Sequence, residues 1–294
     1  MVAVEEKLAS SPYYKIPFSD VVAKKRAKNT YWGRKWNIRD MIFGTVLLAM
    51  HGLCLFAPFY FNWKAFWLGV VLYWITGYGI TISFHRNLAH SSFKLPKVLE
   101  YLFAYCASHA IQVAKRKNVV DLRKQFFYRF MRRTYLLHPI ALGILLYKLG
   151  GMPFVAWGMG VRTVWLLHVT FLVNSACHIW GRRDWNTRDL SKNNWLVALF
   201  TFGEGWHNNH HAFEFSATFR QKWWEVDFGW CIIKLLESVG LATDVKVPSE
   251  AQKQKMMISS SKIMINSTNN FHARLDRNAS NISNALKSCH NLCS

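Results

Sequence analysis

Residues 65–84 contain no charged side chain and end directly at His85. About 20 such residues cross the hydrocarbon of a bilayer as one helix. A chain inside that layer must satisfy its own backbone hydrogen bonds, which leaves only helices and closed barrels. Residues 41–61 read the same way, and the short break Asn62-Trp63-Lys64 joins the two runs as a helical hairpin. Residues 134–154 form a third expected span, interrupted by Pro139, Lys148, Gly150 and Gly151. Residues 156–179 form a fourth, with Gly151-Met152-Pro153 as the turn between them. The expected fold class is an all-α membrane protein, with four transmembrane helices in two hairpins and a cytosolic helical cap.

Charge orients these spans. The formal net charge is +21, from 37 Lys and Arg against 16 Asp and Glu. Such a balance can signal nucleic acid, but here the basic residues flank apolar runs instead of lining one stripe, and no nucleic-acid-binding motif accompanies them. The partner they fit is the lipid bilayer at its anionic cytosolic leaflet. Segment 1–40 is basic and segment 85–133 holds eleven Lys or Arg, whereas the links near residues 63 and 150 hold one lysine each. The positive-inside rule then places both termini in the cytosol. Glu5 and Glu6, with no apolar run among residues 1–11, argue against a secretory signal or transit peptide. The chain divides into a basic cytosolic segment at 1–40, a membrane domain at 41–252, and a tail at 253–294 whose Ser, Asn and Lys content reads as disordered. Within the domain, residues 98–114 read as an interfacial or core helix and residues 228–241 as an amphipathic helix. Cys54, Cys106, Cys177 and Cys231 lie in apolar surroundings and read as buried free thiols.

Six of the twelve histidines fall in three clusters on the cytosolic side. His207, His210 and His211 stand at i, i+3 and i+4, which places them on one helical face. Three neutral imidazoles converging on one point bind iron, zinc, copper or nickel. His85 and His90 are five apart, about 140° around an ideal α-helix, so they converge only at a helix end or with help from a turn. His178 reads either as structural or as a ligand, with Asn174 one turn away reaching a metal directly or through water. Glu204 reads as a carboxylate that orients an imidazole or as a solvated acid, and His109 as a further partner behind the ligands. His51 and His168 fall inside expected spans, where packing or a hydrogen bond is their expected role, although an ionisable residue at that depth is also a functional candidate. No His-Glu-x-x-His is present, which disfavours zinc protease chemistry, and no Cys-x-x-Cys supports a zinc ribbon.

Three stretches carry a resemblance to a known family. They are His85-Arg86-Asn87-Leu88-Ala89-His90 with Ser92-Phe93-Lys94-Leu95-Pro96 after it, Asn174-Ser175-Ala176-Cys177-His178-Ile179-Trp180-Gly181, and Gly203-Glu204-Gly205-Trp206-His207-Asn208-Asn209-His210-His211-Ala212-Phe213. Over roughly residues 15–252 the chain resembles the membrane fatty acid desaturases, and among them the plant Δ9-type acyl-CoA or acyl-lipid enzymes. The resemblance implies a di-iron site, to which His85, His90, His178, His207, His210 and His211 would contribute ligands. It also implies O2-dependent introduction of a cis double bond into an acyl chain, at the endoplasmic reticulum membrane. Electrons would come from NADH through its reductase and cytochrome b5, and no His-Pro-Gly-Gly haem motif of a fused cytochrome b5 is present.

The chain departs from the family at one decisive place. The middle histidine box, of the form His-Arg-x-His-His, is absent. It is expected shortly after Ala107-Ser108-His109-Ala110-Ile111-Gln112, but Gln112 runs into Val113-Ala114-Lys115-Arg116-Lys117, and a block of a few dozen residues is missing at 112–113. The stretch Thr218-Phe219-Arg220-Gln221 also departs from the family pattern. Six histidines and Asn174 suffice for one iron and fall short for two, so desaturase ancestry with little or no activity is expected. Two alternatives stand beside it: a non-catalytic membrane subunit that pairs with intact desaturases in a homo- or hetero-oligomer, and a related membrane hydroxylase.

Overall fold

A computed structural model describes residues 13–24, 37–109 and 120–257. The expected junction at 112–113, most of the basic segment before residue 37 and tail residues 258–294 lie outside the described residues. The first described element is a short hairpin, β1 (Tyr13–Lys15) antiparallel to β2 (Val22–Lys24), with Tyr14 opposite Ala23. Every other described element is helical, so the all-α expectation is corrected only by these two strands.

Helix α1 (Ile38–Phe56) starts at a capping box, in which the Asn37 side chain accepts from Asp40 N and the Asp40 carboxylate accepts from Asn37 N. Helix α2 (Trp63–Tyr78) starts at Asn62, whose side chain accepts from Ala65 N at 2.7 Å. It runs without a break into a π-helical segment, π1 (Gly79–Ala89). Helix α3 (Lys97–Ser108) folds back along this run. A Cβ on Gly79 would stand 2.4 Å from Ala107 N and 2.8 Å from Phe103 O, so only glycine lets the two helices touch there. The short helices α4 (Val120–Lys124) and α5 (Phe126–Arg133) precede a long apolar run made of α6 (Leu137–Val155), π2 (Ala156–Val161) and α7 (Arg162–Ile179).

Four separate spans were expected; among the described residues two helical runs are long and apolar enough to cross a membrane, Trp63–Ala89 with 27 residues and Leu137–Ile179 with 43. The first expected span is represented by a shorter apolar stretch, Asp40–Phe56. The 43-residue run is not one straight rod. Gly151 adopts φ 64° and ψ −155°, a conformation that a Cβ disfavours, and beyond this break Gly158 packs against Leu146. The turn therefore sits where Gly151-Met152-Pro153 predicts it.

Polar contacts tie these helices together. His51 donates through Nδ1 to Leu47 O at 2.8 Å, which leaves Nε2 bare to accept from His168 Nε2 at 3.1 Å. The two histidines thus bridge α1 and α7 by the hydrogen bond expected of them. The buried Arg162 donates to Thr76 Oγ1 and His109 O, joining α7 to α2 and to the end of α3.

The remaining helices are α8 (Trp195–Phe200), α9 (His207–Ala212), α10 (Phe228–Ser238) and α11 (Glu250–Met256). With the loops between them they form a cap over the end of π1, around buried Ile82, Phe93, Ala217, Ile233 and Ala242. Helix α11 runs across the expected domain boundary at 252, and Met256 O accepts from Asn186 N at 2.8 Å. The Cys177 thiol is buried and Cys54 and Cys106 are half-buried, whereas Cys231 is exposed, because it faces outward from α10.

Candidate metal centre

His85 and His90 are brought together by the backbone. The His90 N–H donates to His85 O at 3.2 Å, the i→i+5 bond of a π turn. The wider turn stacks residues five apart, and the two rings lie 5.0 Å apart between centroids. Ideal α geometry, which separates them by about 140°, does not apply here.

The three histidines of α9 do not converge on one point, and this corrects the sequence reading. His207 and His211, at i and i+4, meet edge to face at 4.3 Å between ring centroids, whereas His207 and His210 lie 6.2 Å apart. Positions i+3 and i+4 diverge by one residue's rotation, about 100°, so α9 presents rings to two sides. His210 joins His85 and His90; His207 and His211 join His178. In each trio one nitrogen per ring lies within 4.8 Å of the others. The Nε2 atoms of His85 and His210 are 3.1 Å apart, and those of His178 and His207 are 3.0 Å apart. Two ligands at about 2.1 Å from a common ion, set at a right angle, would lie about 3.0 Å apart. The six residues expected as ligands thus form two three-imidazole sites side by side, where the sequence reading allowed for one.

Each trio has a carboxylate behind it. Glu204 accepts from His85 Nδ1 and from the Thr81 hydroxyl, and the Asp189 carboxylate lies against His211 Nδ1. Such contacts fix the proton on Nδ1 and turn the Nε2 lone pair forward. The Nδ1 atoms of His207 and His210 are buried without a partner, a state that protein interiors rarely leave unused. The donor set fits a metal of the kind imidazole favours.

Burial also holds the rings in the form that ligates. It lowers the His207 pKa to about 3 and that of His210 well below the usual value, with neighbouring imidazoles adding to the effect. His90 is lowered as well, chiefly by burial. Burial raises Glu204, but the attraction and hydrogen bond of His85, then Arg86 and Thr81, outweigh it and leave the carboxyl below its usual range.

The cap is locked to π1 by a buried ion pair that the sequence did not single out. Arg86 meets Asp227 with two hydrogen bonds of 3.0 and 2.8 Å and donates to Ala217 O at 2.8 Å. Its guanidinium lies 3.9 Å over the Phe219 ring, which in turn packs on His210 at 4.5 Å. Phe219 lies in the stretch Thr218-Phe219-Arg220-Gln221. Asn208 and Asn209 clamp α9 from within. Asn208 accepts from Asp184 N and Trp185 N, and Asn209 connects Trp185, Asn193, Phe219 O and Glu225.

Two further expected site residues have contacts of their own. Asn174 is exposed and donates back to Thr170 O of its own helix. His109 ends α3, packs edge-on against Tyr105, and gives its carbonyl to Arg162.

Comparison with known proteins matches the sequence of this chain to a family. A fatty acid desaturase family model covers residues 81–230, which include both trios. The chloroplastic palmitoyl-monogalactosyldiacylglycerol delta-7 desaturase of Arabidopsis thaliana is 50% identical over 296 aligned positions, covering 84% of this chain and 80% of that protein. The acyl-CoA C20 Delta5-desaturase of Anemone leveillei is 45% identical over 303 positions, covering 87% of this chain and 97% of its own. Delta-9 acyl-lipid desaturase 2 of Arabidopsis thaliana is 45% identical over 285 positions, covering 81% and 93%. Each alignment is longer than the part of this chain it contains. For the first, 84% of 294 residues is about 247, against 296 positions, so about 49 positions face no residue here. The same comparison leaves about 47 unmatched positions for each of the other two. With the family model and three relatives in agreement, the chain belongs to the fatty acid desaturase family.

Proposed function

We propose that this chain is a fatty acyl desaturase in design, acting on an acyl-CoA or acyl-lipid with Δ9-type placement of a cis double bond, and that the missing block holds its activity low. The observation that carries the reading is the pair of three-imidazole sites side by side on α9. Iron is the metal proposed for both; when bound, it supplies the activation of O2 that cleavage of unreactive C–H bonds demands. The chain's own residues do the positioning. Burial keeps His207 and His210 neutral, Glu204 and Asp189 hold His85 and His211 with Nε2 forward, and Arg86 with Asp227 fixes the cap over π1. Two hydrogens leave the acyl chain with their two electrons. Two more electrons come from NADH through its reductase and cytochrome b5, two protons come from solvent, and one O2 becomes two waters. On this reading α1, α2 and the two halves of the bent 43-residue run make four crossings of the endoplasmic reticulum membrane, with both termini cytosolic.

The unmatched positions in the three alignments and the absence of His-Arg-x-His-His support the low activity. Expression in desaturase-deficient yeast, with lipid analysis, tests it. Trace or no unsaturated product is expected, and output comparable to an intact plant Δ9 desaturase in the same strain would overturn it. Hydroxylated product would reassign the reaction. The absent middle box also favours a second reading, a non-catalytic subunit of a desaturase oligomer. Co-purification with an intact relative is its test, and a solitary, monodisperse chain in the presence of that relative would remove it.

A further inference from the structure

Helix α5 uses only one of its sides. On the inner side the Phe127 ring stacks on Tyr101 at 4.4 Å, the Tyr128 hydroxyl donates to Glu100 at 2.9 Å, and Met131 is buried. On the outer side Phe126, Arg129, Phe130 and Arg133 stand at i, i+3, i+4 and i+7, one helical face, and all four are exposed. Phe126 is 75% exposed, and its ring stacks on that of Phe130 with centroids 6.3 Å apart. Arg129, Arg132 and Arg133 form no ion pair with any acid among the described residues; the nearby Asp121 is turned to Lys124. Leu136 and Leu137 continue the exposed apolar strip into the start of the 43-residue apolar run.

Paired phenylalanines flanked by uncompensated guanidiniums, placed where a membrane-crossing run begins, are the composition of a helix that lies in a bilayer interface. An acidic protein surface would meet the arginines but leave the stacked rings without a matching apolar layer. We propose that α5 is an interfacial anchor that binds anionic phospholipid in the leaflet it faces. Phe126 and Phe130 enter the acyl boundary, and Arg129, Arg132 and Arg133 hold headgroup phosphate and carboxylate, which guanidinium meets with two parallel hydrogen bonds. The proposal rests on the membrane reading and is independent of whether the chain desaturates anything.

The test uses the full-length chain reconstituted in phosphatidylcholine discs with a minority of phosphatidylserine. The protein is extracted in mild detergent and the retained lipid is weighed by mass spectrometry. Wild-type chain should retain phosphatidylserine over phosphatidylcholine by about five-fold or more relative to the bulk. R129Q/R132Q/R133Q should return that ratio to the bulk value, and F126S/F130S should lower total retained lipid. If the triple variant does not fold, R129Q and R133Q singly should each lower the enrichment. Retention at the bulk ratio by the wild type, or enrichment that survives the triple variant, overturns the proposal. So does loss of an acidic protein partner by the triple variant while lipid enrichment stays unchanged.

Discussion

The two histidine trios share a plan and differ in what holds them. In the first, His85 and His90 belong to one continuous π-helical turn, and the carboxylate behind them, Glu204, is anchored by the Thr81 hydroxyl and lies 3.8 Å from the Arg86 guanidinium. In the second, His178 is at the end of α7, and its carboxylate, Asp189, sits in the loop between α7 and α8, anchored by Ser191. The Glu204 side chain is 13% exposed and that of Asp189 38%. Secondary structure builds the first site in advance, whereas the second depends on a loop. Helix α9 feeds both, so a metal in either should stiffen the other.

The largest effects should come from α9 itself. H210A should remove the first metal and H207A the second, each taking iron from about two to about one per chain, and the double variant should take it near zero, because each trio keeps only two imidazoles. Metal analysis of purified protein reads this; a single substitution that empties both sites would show one cooperative centre and dissolve the comparison. Next is D227N, which leaves Arg86 buried without its partner and should cost about 3–5 kcal/mol, read as a fall in the unfolding midpoint in detergent. It should loosen the first site before the second, since Arg86 follows His85 directly. Carboxylates behind imidazoles matter about 10–100-fold in metal affinity. E204Q should lie at the upper end of that range and D189N at the lower, in competition titrations with a chelator. Equal losses would mean that the loop holds its site as firmly as the π turn does.

The sequence shows more of the chemistry than of its arrangement. All six ligand candidates, the turn at Gly151 and the orienting role of Glu204 can be read from residue type and spacing. The division into two trios cannot, because i, i+3 and i+4 look like one face until neighbouring elements approach from both sides of a short helix. The pairing of His85 with His90 is hidden for a different reason. A π turn replaces 3.6-residue periodicity with an i→i+5 bond, and no residue type between Gly79 and Ala89 announces it. The Arg86–Asp227 pair joins positions 141 apart, and such a partnership follows from tertiary packing alone. Asn174 shows how a spacing and a contact can coexist: it lies one turn from His178, and its amide N–H donates to Thr170 O, which leaves its carbonyl oxygen uncommitted by that bond.

The smallest effect, and the one that separates burial from ligation, is the pH dependence of the metal-free chain. His207 titrates near 3 and His210 well below its usual value, both because burial disfavours the charged ring. In the unfolded chain both titrate near 6.5. Between those limits the unfolded state binds protons that the folded state refuses, so stability is complete above about pH 6.5 and falls as pH drops toward 3. Each such histidine contributes a slope of about 1.4 kcal/mol per pH unit. Glu204 acts in the same direction, since its folded pKa is also lowered, but only below the ordinary carboxylate range. In the window from pH 6.5 to 5 the lowered histidines work against Glu225, whose carboxyl burial raises, and comparison with H207A cancels Glu225 because both chains carry it. Unfolding midpoints of chelator-treated wild type should decline through that window, and H207A should flatten the decline by one histidine's share. An identical slope in H207A would mean that this ring is wet in the metal-free chain, and that the second trio is built only when a metal arrives.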